Sequence, residues 1–159
     1  MNMEFEEISL SNRDVVINII VDAWGSSLII SKGKVHNVET LPGFVALVNG
    51  EVKGATTYHI ENDECEIVSL DSLLENKGIG SSLINRVIEI AKVKGCKRVW
   101  LITSNDNTSA MRFYQKKNFD MVSVRRDAIT EARLNKPQIP LKGFDNIPIR
   151  HEIEFELLI

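Results

Sequence analysis

The chain reads as a single α/β (α+β) domain built on one mixed, mostly antiparallel sheet of about six or seven strands, flanked by about four helices. Three observations predict this. Three successive β-prone segments between Phe44 and Leu73 are joined by tight-turn residues. A strand–helix–strand unit then runs from Cys65 to Ser104, and its two strands are expected to be parallel with a right-handed crossover. The last segment, Glu152 to Leu158, alternates apolar and acidic residues as a half-buried strand does. The length of 159 residues suits one domain with a full core, spanning residues 1–159.

The elements follow in order. Phe5, Ile8 and Leu10 suggest a short first strand. Ser11 or Asn12 is placed to cap a helix carrying Val15, Val16, Ile19, Ile20 and Ala23 on one face. Residues 24–42 carry no clear periodicity. Phe44 to Val48 is an apolar strand, and Asn49-Gly50 is the dipeptide most favoured in two-residue hairpins because both residues tolerate positive φ. Val52 to Ile60 returns as the partner strand. Glu61-Asn62-Asp63 makes the next turn, and Glu64 to Leu73 the fourth strand. Gly78 to Lys94 is the clearest helix, with Leu83, Ile84, Val87, Ile88 and Ala91 at helical spacing and Gly95 as a stop. Arg98 to Thr103 is the fifth strand, parallel to the fourth, and Asn107 to Lys117 a further helix. Met121 to Val124 is a strand, residues 129–148 an irregular excursion, and Glu152 to Leu158 closes the chain with Ile153, Phe155 and Leu157 inward and the three glutamates wet.

Composition narrows the function. The net charge of −3 lacks the basic face expected of a nucleic-acid binder, so no nucleic-acid partner is expected. No apolar run approaches the ~20 residues that span a bilayer, and the acidic start, Met1 to Glu7, does not read as a signal peptide, so no membrane partner and a cytoplasmic location are expected. Cys65 and Cys96 sit in apolar stretches without the spacing of a zinc site; they read as buried thiols, and no metal is expected.

Chemistry concentrates at Gly78-Ile79-Gly80-Ser81-Ser82. A strand passing through a glycine turn into a helix makes an anion site, because the first helical N–H groups lack internal partners and the helix dipole is positive there. The dinucleotide fingerprint fails at Leu83, and no Walker Lys-Ser/Thr follows. Alone, the two glycines are equally consistent with tight strand–helix packing.

One strand later comes Asn107-Thr108-Ser109-Ala110-Met111-Arg112-Phe113-Tyr114, then Asn118-Phe119. With both motifs in order, the chain resembles the GCN5-related N-acetyltransferase (GNAT) superfamily over roughly residues 43–125. Gly78 and Gly80 match its Gln/Arg-x-x-Gly-x-Gly/Ala signature. Asn107, Ala110, Phe113, Tyr114 and Phe119 match its later helix. Two departures stand out: Glu75 replaces the usual Gln or Arg, and Asn118 replaces the glycine before Phe119. Asparagine tolerates the left-handed conformation, so the second exchange is mild.

The resemblance implies direct acetyl transfer from acetyl-CoA, the acyl-donor substrate, to a primary amine on a small molecule or peptide. It implies a coenzyme site formed by Leu70, Ser72, Lys77, Gly78, Ile79, Gly80, Ser81, Ser82, Asn107, Ala110, Phe113 and Tyr114. The oxyanion donor falls on a backbone N–H near Leu70, and Tyr114 is the acid for the leaving thiolate. Glu64 and Glu66, or a water chain, are the candidate bases. Strand alternation puts both glutamates on one face with Val68 and Leu70. Trp24, Ser31 and Arg150 are acceptor-side candidates, although Arg150 reads first as an ion-pair partner and Trp24 as a core residue. His36 and His151 read as surface residues. The 129–148 excursion is alternatively a dimer contact, which leaves a homodimer open. The competing function is an acyl-CoA-binding or sensor module without catalysis, which needs the glycine loop but not Tyr114.

Overall fold

The computed structural model describes residues 2–159. Its strands and helices are β1 (Met3–Glu7), α1 (Arg13–Trp24), β2 (Leu28–Ser31), β3 (Lys34–Asn37), β4 (Gly43–Val48), β5 (Glu51–Glu61), β6 (Glu64–Ser72), α2 (Ile79–Val93), β7 (Arg98–Ser104), α3 (Thr108–Lys116), β8 (Asp120–Arg125), α4 (Ala128–Ala132) and β9 (Glu152–Leu158). Seven strands form one sheet in the order β1-β4-β5-β6-β7-β9-β8, and β2 pairs with β3 in a separate hairpin. Only β6 and β7 are parallel; the other neighbours run antiparallel. The expected sheet and its parallel core are thus present.

The turns obey local backbone chemistry. Asn49-Gly50 and Asn62-Asp63 both hold positive φ at two successive residues, as two-residue hairpins demand. Asn118 stands at φ 70, in the conformation its glycine-like position requires. The same signature occurs at Lys32 (φ 49) and Gly33 (φ 76), which turn β2 into β3. Residues 24–42 therefore hold a hairpin that no periodicity announces. Its strands are four residues each, too short for a period to show.

Two apolar layers cover the sheet. One packs α2, Tyr114 and Phe119 against Cys65, Ile67, Val99 and Phe155. The other packs Val16 and Ile20 of α1, with Ile29, against Val45, Ala55 and Val68. In α1 only Val16, Ile19 and Ile20 are buried; Val15 and Ala23, expected on the inner face, are exposed because the contact stripe is narrow. Both cysteines are free and buried.

Two expectations fail for tertiary reasons. First, β6 does not alternate throughout. Thr57 pairs with Ser69 but Tyr58 pairs with Ile67, so Val68 is an extra residue opposite no partner. This bulge flips the faces. Val68 lies with α1, whereas Leu70 packs with α2 and does not share a face with Glu64 and Glu66. Second, the glutamate face of β9 is not wet at its start. Glu152 and Glu154 are buried, and Lys32 at the hairpin tip reaches both: its N–H donates to Glu152 Oε2 at 3.4 Å and its Nζ pairs with Glu154.

Candidate active site

The parallel pairing of β6 with β7 is brief. It joins Glu64, Cys65 and Glu66 to Arg98, Val99 and Trp100, and no pairing follows. Beyond that point the strands separate, leaving a cleft of about 80 Å³ between Ile67–Leu70 and Leu101–Thr103. Trp24 borders it, as do Asn107, Ala110 and Tyr114. A strand pair that parts leaves backbone N–H and C=O groups facing the gap, and such groups need partners from solvent or ligand.

At the head of the cleft, Gly78 precedes α2 with φ 75, a conformation that favours glycine. The Ser82 N–H is the first to bond back, to the Gly78 carbonyl at 3.0 Å. The N–H groups of Ile79, Gly80 and Ser81 are therefore the free donors of the helix start. A Cβ at Gly80 would lie 3.5 Å from the Phe113 ring, an ordinary contact, so the fold itself does not demand glycine there. Ser81 and Ser82 are half-buried at this end, while Ser72, Glu75 and Lys77 are exposed. Glu75 forms no ion pair among the described residues and faces solvent, where its charge is screened.

Asn107 caps α3, its side chain accepting from the Ala110 N–H at 3.1 Å. The helix thereby presents Tyr114 to the cleft. Tyr114 is buried, wedged edge-on between Phe113 and Phe119 with centroids 5.2 and 5.6 Å away. Burial pushes its phenol well above the ordinary value, and the nearby Asp71 carboxylate adds to the rise. Asp71 escaped the sequence reading. It accepts from the Trp24 indole N–H at 3.1 Å, and burial lifts its carboxyl to about 6 against the effect of that bond. Trp24, 43% exposed, is a wall of the cleft and not a core residue.

The glutamates separate into two environments. Glu64 is held by Arg98, which also binds Glu154 and Glu156. These bonds more than offset the desolvation of Arg98 and raise its pKa further. Glu66 is buried one step below the parting of the strands, with Oε1 at 3.0 Å from His36 Nε2. His36 is thus a buried residue, contrary to the expected surface position, because the β2–β3 hairpin carries it over β6. Its ring meets that of His59 at 5.3 Å. His151 is half-buried, its Nδ1 accepting from the Asp127 N–H at 2.9 Å. Arg150 is tied to Asp127 at 3.0 Å, the ion-pair reading of that residue, and lies outside the cleft lining.

A second cavity of about 230 Å³ lies under the hairpin, walled by Ser31, Lys32, Glu66 and Trp100 among others. Its lining and that of the cleft follow one another along the same two strands, Glu66 preceding Ile67 and Trp100 preceding Leu101. The 129–148 excursion reaches the same side: Lys136 is buried and donates to the Leu28 carbonyl at 2.8 Å, and Asp106 accepts from the Phe144 N–H at 3.1 Å. A Cβ at Gly143 would sit 1.9 Å from the Asp106 carboxylate, so any other residue there would displace that side chain.

Comparison with known proteins gives a consistent picture. Residues 19–119 match the model of the acetyltransferase (GNAT) family. The chain is 39% identical over 157 residues to the uncharacterized protein YdhI of Bacillus subtilis (strain 168), covering 96% of this chain and 98% of that one. Among solved structures, the IAA acetyltransferase from Bacillus cereus ATCC 14579 superposes with a TM-score of 0.78 at 21% identity, over 99% of this chain and 100% of that one. A GNAT family acetyltransferase from Elizabethkingia anophelis with acetyl-CoA bound superposes with a TM-score of 0.74 at 18% identity, over 99% of both chains.

Proposed function

The chain belongs to the acetyltransferase (GNAT) family, and from that premise we propose that it transfers the acetyl group of acetyl-CoA directly to a primary amine. The observation that carries the reading is the continuity of three features: free N–H groups at the start of α2, an open strand pair below them, and a buried tyrosine beside the gap. A pyrophosphate suits the Ile79–Ser81 donors, and an extended pantetheine arm suits the unpaired edges of β6 and β7. Gly78, Gly80, Ser81 and Ser82 serve the phosphates; Leu70, Asn107, Ala110 and Phe113 flank the arm.

In the reaction, the amine nitrogen attacks the thioester carbon, an N–C bond forms and the C–S bond breaks. Glu66 takes the proton that the amine loses, directly or through one water. It is the better placed of the two glutamates, since Glu64 is committed to Arg98. The N–H at Leu70 faces the developing oxyanion, a contribution of typically ~3 kcal/mol for a fixed donor. Tyr114 returns a proton to the coenzyme thiolate. Its raised pKa keeps it protonated through the neutral range, as an acid must be.

The test is thermal stabilisation by acetyl-CoA followed by an amine screen for free thiol release. At 100 times Kd a ligand adds ~2.7 kcal/mol of stability. Stabilisation by ATP or NAD with none by acetyl-CoA would overturn the assignment, and binding without turnover across the screen would favour a sensor.

A further inference from the structure

We propose that the acceptor carries a second cationic nitrogen, bound beneath the β2–β3 hairpin by Ser31 and Glu152, so that this enzyme acetylates a linear di- or polyamine. The proposal rests on the acetyltransferase reading and narrows it to a substrate class.

Two buried acceptor atoms lack hydrogen-bond partners among the described residues on this side of the sheet: Ser31 Oγ and Glu152 Oε1. Each residue is 4% exposed. Ser31 lines the 230 Å³ cavity together with Glu66. Glu152 meets the hairpin at the neighbouring residue, where its other oxygen takes the Lys32 N–H. Leaving a buried polar atom unpaired costs about 1–3 kcal/mol, so two of them at one place call for a donor. A primary ammonium supplies three N–H donors and a positive charge.

The charge pattern asks for the same thing. Glu154 is matched by Lys32 and Arg98, and Glu64 and Glu156 by Arg98. Glu66 has only His36. Glu152 has no side-chain partner among the described residues; beyond the Lys32 backbone N–H, the Lys32 and Arg125 charges act on it only through space, and Glu66 opposes its charge. A carboxylate so placed is raised in pKa by burial, and an incoming cation relieves it. Metal is the poorer candidate, because no group of three ligating side chains converges among the described residues. The cavity and the cleft follow one another along the same two strands, with Glu66 and Trp100 lining the first and Ile67 and Leu101 the second. A short methylene chain running along those strands sets one nitrogen under the hairpin and the other toward the thioester.

The test compares diaminobutane with butylamine. Each is added to the full chain without acetyl-CoA and thermal stability is read; kcat/KM for each is then measured with acetyl-CoA. The wild type is expected to be stabilised by the diamine alone and to prefer it by roughly 10- to 100-fold in kcat/KM, the worth of a charge-assisted hydrogen bond. Glu152→Gln and Ser31→Ala are each expected to collapse that ratio toward one, mainly through the diamine KM. Ser31→Ala removes one hydroxyl and keeps the test open if Glu152→Gln fails to fold. Equal treatment of the two amines by the wild type, or an unchanged ratio in both variants, overturns the subsite. Failure of acetyl-CoA to bind would sink the acetyltransferase reading, whereas the diamine-selective stabilisation is read in its absence and stands or falls separately.

Discussion

His36 Nε2 lies 3.0 Å from Glu66 Oε1, and both side chains are buried although thirty residues separate them in sequence. The pair joins the hairpin to the strand that opens beside it. Glu66→Gln keeps a hydrogen-bonding side chain but removes the proposed base, and is expected to lower kcat by about 10²- to 10⁴-fold with little change in melting temperature. His36→Ala is expected to cost about 1–3 kcal/mol in chemical denaturation, since it leaves a buried carboxylate unpaired. Undiminished turnover in Glu66→Gln would move the proton to a water chain.

Tyr114→Phe removes the acid proposed for the thiolate while keeping the ring between Phe113 and Phe119. A fall in kcat of about 10²-fold or more is expected with acetyl-CoA affinity kept, read by steady-state kinetics and by titration of binding. Equal rates would assign Tyr114 to packing alone.

Asp71 gives a pH signature. Its carboxyl rises from 3.8 to about 6 on folding, so the folded state holds its proton more tightly than the unfolded chain does. That difference costs stability as pH climbs from about 4 to about 6 and is constant above. Asp71→Asn, which still accepts from Trp24, escapes the cost. Melting curves of the two proteins are expected to diverge over that window, with the variant the more stable at neutral pH; parallel curves would refute the shift.

Glycines 54 and 80 separate folding from binding. A Cβ at Gly54 would stand 2.6 Å from Ile79 Cγ2, whereas one at Gly80 meets nothing nearer than 3.5 Å. Gly54→Ala is expected to destabilise by about 1–3 kcal/mol through overpacking. Gly80→Ala is expected to fold normally but to bind acetyl-CoA more weakly, because its methyl fills the space beside Phe113 and Leu70 that the proposed coenzyme arm would occupy. Calorimetry of both variants checks this.

Arg98 holds Glu64, Glu154 and Glu156 together. Arg98→Met leaves Glu64 and Glu156 without this partner and Glu154 with Lys32 alone, and is expected to cost about 1–3 kcal/mol in urea denaturation, less than a fully buried pair because Glu64 and Glu156 are partly exposed. A loss under 1 kcal/mol would show that water reaches the glutamates freely.

Much of the local structure around the cleft is legible in the sequence. The Gly78–Ser82 loop, the Asn107 cap and Tyr114 are read from short-range patterns, and Asn49-Gly50 and Asn118 adopt the positive φ their residue types allow. The contacts made across the fold are not. Nothing local marks Asp71, which Trp24 meets from forty-seven residues away. His36 looked exposed because nothing local shows that its hairpin folds onto a sheet.

The sequence alone determined the three long helices, the turns at Asn49-Gly50 and Asn62-Asp63, the longer strands and the glycine loop, because each depends on backbone preferences and periodicities that act within a few residues. Tertiary structure decided the rest. The Val68 bulge turned Leu70 away from Glu66, and the covering hairpin buried Glu152 and Glu154 on a face that alternation marked as wet. Both outcomes depend on which surfaces meet, and a period of two cannot report a residue that pairs with nothing or a layer contributed by a segment more than a hundred residues away.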